Sequence, residues 1–161
     1  MKKLVATLSI AGILVASSAT AFANVIIPTD MDRSQIPQRI EFGTDTTTPS
    51  DPSFTTMATG ESILLRAIAD NPAPYPLYEY SATGVTDPKS FLYVASVTTS
   101  LFHDNDFIGQ SDQALGLAGF DAEVEFLAES TAGGYWEAFS NHTITNGSDF
   151  FSAWTVDGEN Y

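Results

Sequence analysis

The chain has no cysteine, only two histidines, and six basic residues against 20 acidic ones. Each shortage excludes a class of chemistry. Without cysteine there is no disulfide framework, no thiolate nucleophile, no lipid attachment at a cysteine and no thiolate zinc site. The two histidines, His103 and His142, are 39 positions apart, so no H-x-x-x-H metal spacing exists, and no serine stands in a G-x-S-x-G elbow. The net charge of −14 makes nucleic acid and anionic membrane surfaces poor partners. Helical periodicity is also scarce, which argues against a bundle.

What is present begins with an export signal. In MKKLVATLSIAGILVASSATAFA, Lys2 and Lys3 precede an apolar run and Ala21-Phe22-Ala23 supplies a small-x-small cleavage pattern. Residues 1–23 are expected to be a bacterial-style signal peptide rather than a retained anchor, because Ser, Thr and Gly dilute the run. Removing them from the 161 residues leaves 138, enough for one domain with its own core. The expected location is secreted: extracellular, cell-surface or periplasmic, with no membrane insertion after cleavage. Four basic residues (Arg33, Arg39, Arg66, Lys89) then face 20 acidic ones, a net charge near −16. At 43% hydrophobic and 12% aromatic residues, the chain is too apolar to be disordered as a whole.

Residues 24–61 read as an extended N-terminal arm ending in a Thr/Ser/Pro-rich loop, FGTDTTTPSDPSFTTMATGES at 42–62, where Pro49 and Pro52 forbid a central strand. Residues 62–161 read as the folded domain. SILLRAIAD, from Ser62 to Asp70, is short and flanked by Gly and Pro, which favours a strand. NPAPYP at 71–76 should be extended. Phe91 to Phe102 is a β-branched and aromatic run, and Phe107 to Gln110 can return beside it. From Asp121 to Glu129, Ala122, Val124, Phe126 and Ala128 alternate with acidic residues, Leu127 being the exception, as in a half-buried antiparallel strand.

Asn146-Gly147 predicts a two-residue hairpin turn between Tyr135–Thr145 and Ser148–Val156. That loop sets Thr145 opposite Ser148 and Phe139 opposite Trp154, with Tyr135, Phe139, Phe150, Trp154 and Val156 on the core face. Trp136, His142, Ile144 and Phe151 fall on the other face, which needs a cover. A four-residue loop is expected to leave the register unchanged and a three-residue one to exchange the faces. Strands, turn signals and scarce helical periodicity together predict an all-β fold: a single antiparallel β-sandwich, immunoglobulin-like or a related barrel.

Few residues suggest a site. His103-Asp104-Asn105-Asp106 is read as a hairpin turn, because Asp and Asn accept left-handed backbone and bond their own amides. The competing reading is a calcium site of Asp104 and Asp106 with Asp112 or Asp87 from another loop, although Ile108 and Leu115 stand where an EF-type loop needs ligands. A second calcium spacing, Asp30, Asp32, Ser34, Gln38 and Glu41, has Gln35 in place of the turn glycine. Tyr75, Tyr78 and Trp136 are candidate glycan-stacking aromatics. Glu123 and Glu125, with His103, are the only hydrolytic candidates.

No cofactor is called for unless calcium is bound. The leading expectation is a non-enzymatic, exported, acidic β-sandwich acting by surface recognition or self-assembly in the extracellular matrix or at the cell surface, with itself or an extracellular glycan or protein as partner. The alternatives are a carbohydrate-binding module and a small secreted hydrolase.

Overall fold

A computed structural model of the chain describes residues 32–44, 56–69 and 76–161. The expected signal peptide, Pro49 and Pro52, and Tyr75 lie outside the described residues. Within them, nine strands come after a 3-10 turn at Arg33–Gln35: β1 (Arg39–Thr44), β2 (Thr56–Ile68), β3 (Tyr78–Pro88), β4 (Val94–His103), β5 (Asp106–Gln110), β6 (Ala114–Gly116), β7 (Ala122–Ser130), β8 (Tyr135–Thr145) and β9 (Phe150–Asn160). All their pairings are antiparallel. One sheet runs β1-β2-β3-β7; the other runs β5-β4-β8-β9, with β6 also on β4. The two pack face to face, so the chain is an all-β sandwich. In the first sheet β1, β2 and β3 form a meander, and β7 adds beside β3. Among the described residues no helix is long and apolar enough to cross a membrane.

Strand reaches further into the N-terminal half than the sequence suggested. Arg39–Thr44 and Thr56–Glu61, expected to be arm and loop, pair from Arg39↔Glu61 to Thr44↔Thr56. Three features of this stretch obscured the strands. Glu41 and Glu61 are polar, Gly43 bends the backbone at φ 73, and the Thr/Ser/Pro composition dominates the window. The 39–44 strand forms because Phe42 is buried, 8% exposed, in the core.

The space between the sheets is divided. One apolar cluster holds Phe42, Ala58, Tyr93, Ala95, Val97, Ala122, Ile144 and Ala153. The other holds Leu64, Tyr80, Ala82, Leu101, Trp136 and Ala138. Between them runs a polar seam of buried side chains: Ser62, Thr86, Thr99, Ser140, His142 and Thr155. The seam is satisfied internally. Thr86 Oγ1 donates to the Ser96 carbonyl at 3.0 Å, so its 2.8 Å contact with His142 Nδ1 must receive the ring proton. His142 Nε2 is left as the acceptor of the Thr155 hydroxyl at 2.7 Å. Ser62 Oγ lies 2.6 Å from Thr155 Oγ1 and 2.8 Å from Ser140 Oγ, which lies 3.0 Å from Thr99 Oγ1. Two glycines give the seam its room. A Cβ on Gly60 would sit 2.7 Å from the His142 ring, and one on Gly84 would sit 2.1 Å from Thr99 Oγ1.

The last hairpin closes through a four-residue loop, Asn146–Asp149, with Thr145↔Phe150 and Phe139↔Val156. This moves the partners by two positions from the two-residue expectation and preserves the two faces. The assignment of those faces is reversed, however. Trp136, Ala138, His142, Ile144, Ala153 and Phe151 point between the sheets. Phe139 and Val156 lie on the outer face with Phe102, packed by Ile36 of the N-terminal arm. Bulk was misleading here, because the inner face carries small and polar residues that let the sheets approach.

Gly84→Ala should overpack the seam and destabilise the fold by about 1–3 kcal/mol, read as a lower urea midpoint at unchanged slope. Burial holds the His142 imidazole down to about 3, from an ordinary 6.5. Below pH 6.5 the unfolded chain takes up a proton that the folded one refuses. Stability should therefore fall from about pH 6.5 toward pH 3, by on the order of 4 kcal/mol from this residue, and level off below. In NMR spectra the His142 ring signals should stay constant from neutral pH down to about pH 4.

Candidate functional site

The described residues present four places to search for function: the Asp104-Asn105 turn, an aromatic column, an apolar end, and a covered pocket on the outer sheet face.

The turn is a hairpin, with Phe102↔Phe107, His103↔Asp106, and Asp104 and Asn105 at φ 50 and 72. A bulge then shifts the pairing to Leu101↔Gly109, where a regular ladder would have placed Ile108. Asp104 is committed to structure. Its backbone N–H donates to the Tyr135 carbonyl at 2.8 Å and its Oδ1 accepts from Tyr135 N at 2.9 Å, pinning the β4–β5 turn to the start of β8. Asp112 comes after Ser111, which bonds both ways with Thr99. Thr99 is four residues from His103, roughly 13 Å along the strand. Asp104, Asp106 and Asp112 therefore do not converge, and no group of three His, Asp or Glu suited to a metal exists among the described residues.

Asp87 is turned to Lys89 and Thr59. In the second calcium spacing, Asp32 Oδ1 caps the 3-10 turn by accepting from Ser34 N at 3.1 Å and Ser34 Oγ at 2.6 Å, while Glu41 lies in β1 and accepts from Thr56. Glu123 and Glu125 lie on the exposed face of β7, opposite Val85 and Thr83, and Glu125 accepts from Ser81. His103 faces the inner side at the far end of β4.

Trp136 does not form a glycan platform: it is 1% exposed. It lies in a column with His103 at 4.4 Å and Tyr80 at 3.7 Å, both stacked on it, and Tyr80 meets Tyr161 edge-on at 5.7 Å. Arg66 lies between Tyr161 and Tyr78, 4.3 and 4.6 Å from their centroids. The structure thus brings Tyr78 and Trp136 into one cluster, but as packing. Trp136 Nε1 has no hydrogen-bond partner among the described residues.

Two features had not been anticipated. At the opposite end, the loops 89–93 and 117–121 touch, Gly119 N donating to the Tyr93 carbonyl at 3.3 Å. Phe91, Leu92, Leu117 and Phe120 there are 54–76% exposed. The second is the pocket on the outer face of β4, β8 and β9. Glu137 is 4% exposed, yet its carboxylate is ionically paired with Arg33 at 2.9 Å (Nη2) and 3.2 Å (Nε). Arg33 also donates to Asn105 Oδ1 at 3.1 Å and lies 4.2 Å over the Phe102 ring. Burial raises the Tyr135 phenol above its ordinary value; Glu137 adds to this and Arg33 opposes it. Charge pairing over 104 positions, with no local motif, left no signal in the sequence.

No protein-family model matches the chain, and no curated protein matches it.

The unfolding midpoint is expected to be the same in EDTA and in millimolar calcium at fixed ionic strength, since a ligand bound only by the folded state would raise it. Asp104→Ala should cost about 1–2 kcal/mol by losing the bond to Tyr135 and the polar side chain that makes left-handed backbone acceptable to Asp, with Asp104→Gly costing less because glycine has no β-carbon to strain at positive φ.

Proposed function

We propose that the protein is an exported, acidic, non-enzymatic β-sandwich that acts by surface recognition or self-assembly at the cell surface or in the extracellular matrix. The export part rests on the pattern of residues 1–23. The observation that carries the recognition part is the apolar end. Phe91, Leu92, Leu117 and Phe120 belong to two touching loops and keep more than half of their surface in water. Burying one such side chain is worth roughly 1.5–3 kcal/mol, so a group of four on two touching loops of a chain this acidic is matched to a partner surface. With the strong negative charge, a neutral or cationic surface suits it.

The chemistry of the interior supports the same reading. Among the described residues, the one buried His-hydroxyl chain, His142 with Thr155 and Ser62, is sealed between the sheets at 0% exposure for all three residues, where no substrate reaches. A glycan module loses its Trp136 anchor to the core.

Phe91→Ser with Phe120→Ser tests the proposal. The variant should unfold within about 1 kcal/mol of the parent, because these side chains are largely exposed. It should lose most of the retention that the parent shows on the matrix and envelope of the producing cells, measured by co-sedimentation. Equal retention of both proteins, or none by either, would overturn it.

A further inference from the structure

Arg33 and Ile36 are the arm residues that pack on the sandwich, and neither is buried, whereas the surface they cover cannot be left open. Uncovered, that surface would hold an unpaired carboxylate, Glu137, inside an apolar rim of Phe102, Phe139 and Val156. Among the described residues Arg33 is the only cation paired with Glu137. The cover is therefore required by the surface beneath it, and it comes from a short segment held mainly by the side chains of Arg33 and Ile36. No residue of the 3-10 turn is buried. After the turn the chain runs extended to a hinge at Pro37-Gln38: Ile36 has φ −84 and ψ 126, and Pro37 fixes its own φ. The Pro37 carbonyl accepts from Val156 N at 3.1 Å in one sheet, and the Gln38 carbonyl accepts from Ser62 N at 3.0 Å in the other. Beyond that point β1 is held by its ladder to β2.

We propose that residues 32–37 are an exchangeable clasp: the arm of one copy seats Arg33 on Glu137, and Ile36 on Phe102, Phe139 and Val156, of a second copy, linking the molecules. This names the partner in the self-assembly half of the proposed function and rests on that half. Exchange replaces each contact with an identical one, so its free-energy change reduces to the hinge and to protein concentration. A clasp given to one neighbour while another is received generates a heterologous chain of copies unless two copies close on each other. Because the pocket accepts a cation into a negatively charged molecule, it also selects this one segment over the acidic remainder of the surface.

Complementary charge reversal tests this. An Arg33→Glu copy carries an arm that fits only a Glu137→Arg face, and the converse arm and face also match. Each variant alone should be monomeric. The two, unfolded together and refolded, should give a heterodimer by light scattering that neither gives alone, while the double variant in one chain recovers the behaviour of the parent. A mixture that remains two monomers, with a parent that self-associates, overturns the clasp and leaves self-assembly standing. A mixture and a parent that are both monomeric at every concentration and salt overturn both.

Should either charge variant fail to fold, the absence of native cysteine supplies a second route. Isotope-labelled Ile36→Cys and unlabelled Val156→Cys copies, mixed and oxidised, should yield a labelled-to-unlabelled 36–156 cross-linked peptide by mass spectrometry. Its absence, with the Ile36→Cys/Val156→Cys chain linking only to itself or not at all, overturns the clasp.

Discussion

His142 sets the terms on which the two sheets can meet. An imidazole sealed at 0% exposure must have both nitrogens partnered, and here the partners come from both sheets: Thr86 on β3 and Thr155 on β9. That requirement fixes which residues lie opposite, because a shift of one residue in β3 or β9 would turn the hydroxyl away from the ring. Gly60 and Gly84 are consequences of it, being the positions where a β-carbon would collide with the ring or its neighbours. So is the division of the core, with aliphatic and aromatic side chains gathered above and below a satisfied polar belt. Buried polar groups of this kind are costly when misaligned, which makes them effective at excluding alternative pairings.

Much of the sandwich could be read from the sequence because local patterns carried it. The alternation of Ala122, Val124, Phe126 and Ala128 with acidic residues identified β7, and the Asp104-Asn105 pair identified the turn between β4 and β5. Asn146-Gly147 located the last hairpin, but the loop took in Ser148 and Asp149 too, since Asn146 Oδ1 accepts from both of their backbone amides at 2.9 and 2.8 Å. The faces of that hairpin were beyond local reading. Both are covered, and which cover is a sheet and which is an arm depends on Ile36, about a hundred positions upstream of the strands it packs. The same distance hid the Arg33–Glu137 pair. The aromatic candidates were visible as residues and misjudged as surface, because Trp136 owes its burial to Tyr80 and His103 on other strands.

The two ends and the outer face therefore divide the work. One end is stiffened by the aromatic column and by the reciprocal 3.0 Å bonds between Gly134 and Tyr161. The opposite end exposes its apolar loops, and the outer face is closed by a clasp. Aromatic packing fills one end, while exposed apolar side chains mark the other.

The column also gives the molecule an optical signature. Trp136 and Tyr80 are nearly parallel, 11° apart at 3.7 Å, and come from opposite sheets, so their near-ultraviolet transitions are close enough to couple only while the sheets are packed together. Trp154, the other tryptophan, is 37% exposed and sits two positions from Val156 on the face where the arm lies. Its emission is open to aqueous quenchers while that of Trp136 is shielded. Two chromophores of one residue type thus observe separate regions, one the interior between the sheets and the other the face beneath the arm.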